Sequence, residues 1–273
     1  MLKKNNSFKK RFLLILAILF VTSFRSELLA NNWEELYPGV VKSTFTLLMK
    51  DKSTLNIYAV RIDSKRVKIK VVNVYGTLSK QKAKQFPVYS LREVISLLNP
   101  QVIINGGFLA SYSLPIAAGL LIENNNVVTR LNKDSRIQAG IFCVKNNEVN
   151  IVSREKFNEK DCIYALQSGP ILVERSGKVA IDRSEMKGGK YRRSVVAMDK
   201  HRRIVLVASN ESYLYDLANF LANRESDGGL DCIEALNLSG DTDSGIYTKR
   251  KNVPEIFGNI DGPVSSAIAV FGE

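Results

Sequence analysis

The residues best equipped for chemistry lie late in the chain, in Ser239-Gly240-Asp241-Thr242-Asp243-Ser244-Gly245. Two carboxylates, two glycines and three hydroxyls follow an apolar run from Cys232 to Leu238. That run reads as a buried strand by its length and its lack of alternation. Turn-forming residues stop it abruptly. The acids therefore stand at the mouth of a strand, where sheets commonly place ligands. An ordinary strand-to-strand turn, with solvated acids, is the plain alternative.

The residue inventory narrows the chemistry. The single histidine, His201, lies between Lys200 and Arg202 in what reads as a hairpin turn, a poor place for a base. Without a second histidine, Ser-His-Asp catalysis, Cys-His catalysis and His-ligated metal centres are disfavoured. Cys143, Cys162 and Cys232 form neither a CxxC pair nor a Cys/His cluster, which argues against structural zinc. Carboxylates, Arg, Lys, Tyr, hydroxyls or an oxygen-ligated cation remain. Oxygen ligands at Asp241 and Asp243 suit Ca²⁺, but the segment Gly240 to Gly245 lacks the later acidic ligand of a calcium-binding helix–loop–helix. No cofactor and no metal ligand is expected.

The 273 residues suffice for one large domain with a substantial core. Residues 1–30 are set apart from it. Lys3, Lys4, Lys9, Lys10 and Arg11 precede an apolar run from Phe12 to Val21, and a short polar stretch leads to Ala30. This order marks a secretory signal cleaved after Ala30, with residues 31–273 as the exported domain. Leu28 is larger than the residue usual three positions before cleavage, so an uncleaved anchor is the alternative, although the run is short for a span. Periplasmic or extracellular placement is expected.

The whole chain carries a formal charge of +12, and removing residues 1–30 leaves 33 basic and 26 acidic residues, a net +7. The cations are scattered, without the stripe and interleaved aromatics of a nucleic-acid binder. Anionic glycans, phosphodiesters or lipid headgroups are better matched. In an oxidising compartment three cysteines allow one disulfide with one thiol left over. Each sits in an apolar run, which favours three buried free thiols.

The rest of the chain supplies elements to position the acids. Leu55 to Ile62 and Val67 to Tyr75 read as strands around the turn Asp63 to Arg66. Asn31 to Val40 reads as an irregular lead-in with Trp33 docked on the core, and Ser79 to Phe86 as polar. Ser90-Leu91-Arg92-Glu93 is a capping box opening a helix closed by Asn99-Pro100. A strand at Val102 to Ile104 ends in Asn105-Gly106-Gly107-Phe108, where paired glycines permit close backbone approach. A loop rich in Ser and Tyr runs to Pro115. Strands follow at Ala118 to Glu123, Ala139 to Val144 and Glu148 to Val152. Gln167-Ser168-Gly169-Pro170 hinges two apolar runs. Lys187 to Lys190 is a cationic Gly-Gly loop suited to mobility. Val195 to Met198 and Ile204 to Ala208 form a hairpin, Tyr213 to Arg224 a helix with one apolar stripe, and Ser266 to Phe271 a last strand. The fold class is α+β: one domain with a large mixed or antiparallel sheet core and a few packed helices.

Four of these pieces, in order, resemble the motifs of the phosphodiester glycosidase family across about residues 55 to 271. They are Asn105-Gly106-Gly107-Phe108, Gln167-Ser168-Gly169-Pro170, Arg193-Ser194 before a strand, and Ala235-Leu236-Asn237-Leu238. After the last, the family continues Asp-Gly-Gly, whereas this chain has Ser239-Gly240-Asp241. Ser239 cannot serve as a carboxylate, so either Asp241 or Asp243 reaches the same space or the activity is altered. The resemblance implies hydrolysis of a sugar-1-phosphodiester at the sugar C1–O bond, with a phosphorylated saccharide as partner. The phosphate leaves as a stable phosphomonoester anion, so the leaving group has little need of a proton donor. In that reading Arg193 is the phosphate fork, Asp241 the carboxylate and Asp243 its second. Asn105, Gly106, Gly107, Asn237, Ser239, Gly240 and Ser244 line the substrate, with Asn105 and Asn237 bonding hydroxyls or, the favoured reading of the two, holding buried backbone, and Gln167, Ser168 and Gly169 form the opposite wall. The alternative on the same scaffold is a non-catalytic glycan-binding or exopolysaccharide-assembly protein.

Overall fold

The computed structural model describes residues 33–80, 88–111, 113 and 115–272, with backbone alone at 185–187. The basic and apolar leader, Asn31 and Asn32, residues 81–86 of the polar stretch, and residues 112 and 114 of the Ser/Tyr loop lie outside the described residues.

Three sheets form the body, and every pairing within them is antiparallel. The largest has seven strands, in the order Glu34–Tyr37, Val40–Leu48, Thr54–Ile62, Ile204–Ser212, Tyr191–Asp199, Cys232–Asn237 and Ile171–Val173. A five-stranded sheet runs Asn126–Thr129, Leu121–Glu123, Tyr164–Ser168, Gly140–Lys145, Glu148–Ser153. A second five-stranded sheet runs Val253–Gly258, Gly245–Arg250, Val102–Asn105, Ser266–Gly272, Val67–Asn73.

The main core lies where inner faces of all three sheets meet, with Val196 and Leu236 against Phe142 and Leu166, and Ile104 and Ile268 alongside. The outer face of the large sheet is covered by the helix Leu214–Ala222, whose Leu217 and Leu221 pack on Val195 and Val207. Helices Val74–Leu78 and Leu91–Leu98 cover the outer face of the third sheet. Central strands are thus buried on both sides, which explains the unbroken apolar run at Ile204 to Ala208 and the mostly apolar one at Cys232 to Leu238, interrupted by the buried Glu234 and Asn237. The expected α+β class, with one body of sheets and few helices, is what the chain adopts.

Several local expectations change. The lead-in is not irregular throughout, because Glu34–Tyr37 pairs with Val40–Leu48 as a strand. Trp33 does dock, with the Arg61 guanidinium 4.0 Å from its ring centroid and Phe45 edge-on at 6.1 Å. The strand expected to reach Tyr75 stops at Asn73, whose side chain accepts from the Gly76 N–H and starts a helix. The capping box at Ser90 and Glu93 forms. The free-thiol expectation fails for two cysteines. Cys143 and Cys162 are bonded to each other, and only Cys232 is a buried free thiol. Cross-strand pairing of Gly140–Lys145 with Tyr164–Ser168 brings the two together, a long-range register that apolar flanks do not reveal. In the cationic loop, Arg183–Gly188 forms 3₁₀ turns and Lys190 is held by Asp51 at 2.5 Å and Ser53 at 2.7 Å, an anchored end.

Candidate active site

The strand Cys232–Asn237 delivers the acids to a corner where four segments meet. Leu238 N–H donates to the Ser194 carbonyl and Ser239 N–H to the Gly106 carbonyl, each at 2.8 Å. The next residue turns so close to the neighbouring strand that a β-carbon on Gly240 would stand 2.8 Å from the Arg192 carbonyl oxygen. Glycine is required there by space. Asp241–Asp243 then form one 3₁₀ turn, with Asp241 at φ +60°.

Asn105 ties the corner together. Fully buried at the end of its strand, it donates from Nδ2 to the Ser239 carbonyl at 2.7 Å. Its Oδ1 accepts from Ser194 Oγ at 2.6 Å and from Gly245 N–H at 3.2 Å. Ser194 Oγ also lies 2.8 Å from Ser244 Oγ. A buried amide with three partners is a positioning group. The following glycines are equally confined. Gly107 N–H donates to Ser266 Oγ, and a β-carbon on Gly107 would lie 2.6 Å from the Gln167 carbonyl oxygen.

The charged groups follow from this frame. Asp243 is buried, and its Oδ2 accepts from Ser239 Oγ at 2.5 Å. Burial is the main reason its carboxyl is pushed up to about 6, and nearby Asp241 adds to the rise; the Ser239 hydroxyl and its own N–H oppose it. Asp241 is exposed. Arg193 lies within the strand Tyr191–Asp199 rather than before it. Its Nε donates to the Ser212 carbonyl at 3.4 Å and its guanidinium sits 5.1 Å from the Tyr191 ring centroid. Burial draws the Arg193 pKa down, while Tyr191 and Asp241 hold it up through space. Asp241, Asp243, Arg193 and Ser239 thus share one corner.

The Gln167–Gly169 wall is of a different kind. Gln167 is spent internally: Nε2 donates to the Asn132 and Gln138 carbonyls at 2.8 Å, and Oε1 accepts from Leu120 and Asn132 N–H. Asn237 donates to the Gly169 carbonyl at 3.0 Å and the Leu238 carbonyl at 2.8 Å, locking the hinge to the strand end. Its Oδ1, like Ser168 Oγ, is buried without a partner. Sequence reasoning missed Ser212 and Ser266, on strands far along the chain, and Ser265 just before the last strand, which brace the site; no local pattern marks them. A cavity of about 450 Å³ around Glu234 lies elsewhere. The acid–cation corner is the better candidate because its groups interact with one another. Among the described residues, no group of three or more His, Cys, Asp or Glu could hold a metal ion.

The family model for phosphodiester glycosidases matches residues 99–271, which include every residue of this corner. The chain belongs to the phosphodiester glycosidase family. Solved structures agree at the level of the fold. The catalytic domain of zebrafish N-acetylglucosamine-1-phosphodiester alpha-N-acetylglucosaminidase, auto-inhibited by its pro-peptide, is similar with a TM-score of 0.64. Identity is 12%, over 88% of this chain and 86% of that one. A hypothetical protein from Synechocystis is similar with a TM-score of 0.58 and 13% identity, over 86% of this chain and 62% of that one. No curated protein matches the chain. Family membership supports a glycosidase-type hydrolase in general terms, and Ser239 remains the point of departure from the family's motif.

Proposed function

We propose that this chain is an exported hydrolase that cleaves the sugar C1–O bond of sugar-1-phosphodiesters in envelope or extracellular glycans. The observation that carries the reading is the Asp243 carboxyl, which bonds to Ser239 Oγ at the position where the family places its aspartate. A carboxylate shifted by four residues occupies the neighbourhood of the missing one.

The roles follow from the geometry. Arg193 uses Nε on backbone and leaves its terminal nitrogens for phosphate oxygens. Asp243, poised near pH 6, accepts a proton from water as that water attacks the anomeric carbon. The C1–O bond breaks, and the phosphomonoester departs as an anion without needing an acid. Asp241 offers negative charge to the developing oxocarbenium centre. The Cys143–Cys162 disulfide supports export.

The second reading, a glycan-binding or exopolysaccharide-assembly protein without turnover, is favoured by Ser239 itself. One assay separates them. Purified protein is incubated with a panel of sugar-1-phosphodiesters and free reducing sugar is measured. Turnover that is lost in Asp243→Asn and Arg193→Ala, with folding intact, is expected. Full activity in both variants would refute the site, and binding without product would favour the second reading.

A further inference from the structure

The positive charge left after residues 1–30 has a destination. Three cavities, of about 620, 350 and 420 Å³, lie end to end along the free edge of the third sheet. The first and second share Lys70 and Tyr164, and the second and third share Asn146 and Asn147. Together they follow the strand Val67–Asn73 from Lys65 to Val72, a length of about 20 Å.

The lining has a distinct chemistry. Lys65, Lys68, Lys70 and Arg202 stand along the groove, and among the described residues none of them forms a salt bridge, although Arg202 donates to Asn150 Oδ1 at 3.3 Å. Lys68 and Lys70 share one face by the two-residue period of the strand, while Val67, Ile69 and Val71 fill the core. Glu123 and Glu148 are the carboxylates present, and Glu123 is occupied by the Asn73 N–H at 3.0 Å. The cations therefore outnumber the acids. Two tight turns flank the middle of the groove, with positive φ at Asn124 and Asn125 and at Asn146 and Asn147. The Asn125 N–H is bonded to the Ile163 carbonyl, so this turn is fixed against the strand that carries Tyr164. Amides that both donate and accept are matched to sugar hydroxyls, and the Tyr164 ring offers an apolar face to the ring of a saccharide, whereas the Phe271 ring is covered by the Lys70 ammonium, 5.4 Å from its centroid.

We infer that this groove binds an extended anionic saccharide, with cations on its phosphate or carboxylate groups and the asparagine turns on its hydroxyls. The register of the third sheet places one end of the groove near the acid corner. Asn73 pairs with Ser266, and the neighbouring Ala267 pairs with Asn105, so Asn73 lies two strands, about 10 Å, from Asn105. Binding here does not depend on hydrolysis at the corner.

The test measures binding of the whole exported chain to a phosphorylated mannan, to polygalacturonate and to neutral dextran, at low and high salt. It uses the Asp243→Asn background so that nothing is consumed. One or both anionic polymers bind and dextran does not, and which of them binds identifies phosphate or carboxylate as the recognised group. The triple variant Lys68→Gln, Lys70→Gln, Arg202→Gln binds about tenfold more weakly. The charge-matched control Lys52→Gln, Lys133→Gln, Lys178→Gln changes affinity less than about twofold. The single exposed change Lys68→Gln, which leaves the fold untouched, weakens binding about twofold to threefold. Equal losses in the groove and control variants, or no binding of either anionic polymer, overturn the inference.

Discussion

Asp243→Asn tests the central claim about the corner through stability before any substrate is known. Burial raises the Asp243 carboxyl from 3.8 to about 6. Between those values the folded protein holds the proton more tightly than the unfolded chain, so the contribution of this group falls as pH rises through about 6. At 1.36 kcal/mol per unit, the whole window is worth about 3 kcal/mol. Asparagine keeps the shape, accepts from Ser239 Oγ as the carboxylate does, and does not ionise. The variant is therefore expected to be more stable than wild type at pH 8 by about 2 to 3 kcal/mol, with the advantage vanishing below pH 4. Urea titrations of both proteins at several pH values give the difference directly, and all other titrating groups cancel in the comparison. Parallel stability–pH curves for the two proteins would refute the reasoning, because they would mean that Asp243 is solvated. The same burial sets the activity profile: turnover of a sugar-1-phosphodiester rises as pH climbs through about 6, as the base loses its proton.

Other perturbations follow from the frame around the acid. Asn105→Ala removes three buried hydrogen bonds that join Ser239, Ser194 and Gly245, and should cost about 2 to 4 kcal/mol, read as a lowered denaturation midpoint. Gly107→Ala forces a β-carbon to within 2.6 Å of the rigid Gln167 carbonyl. A loss of about 1 to 3 kcal/mol is expected by thermal melting, and an unchanged Tm would contradict the close packing. Cys143→Ser with Cys162→Ser opens a loop of sequence separation 19, expected to destabilise by about 3 kcal/mol; wild type under reducing conditions should fall to the same level.

Much of the site was legible because its parts announce themselves locally. Gly106, Gly107 and Gly240 sit where a β-carbon would collide with backbone, and runs of glycine after a buried strand signal such close approach. Asp241 and Asp243 were legible as paired acids at a strand end, but their ranking was not. Sequence favoured Asp241 as the principal carboxylate, whereas Asp243 is the buried, perturbed one and Asp241 faces solvent. The difference is two positions in a 3₁₀ turn, which decides whether a side chain points into the corner or out of it. Asn105 read as a group that either bonds hydroxyls or holds buried backbone, and its polar atoms hold the Ser239 carbonyl and the Gly245 N–H; Gln167, expected on the substrate wall, spends its amide on backbone. Three strands, Val40–Leu48, Gly245–Arg250 and Val253–Gly258, carry too mixed a pattern to be read without their partners.

The sequence by itself determined the class of fold, the order of the motifs and the family they resemble. Apolar runs, capping residues and glycines act over a few neighbours and so can be read along the chain. It also bounded the chemistry, since one histidine leaves acids and guanidinium to do the work. Only the tertiary structure decided which cysteines join, which acid is desolvated, and where the groove lysines gather. Those outcomes depend on strand register and burial between residues from 19 to 134 positions apart, and the free energy of a charge is set by what surrounds it in space.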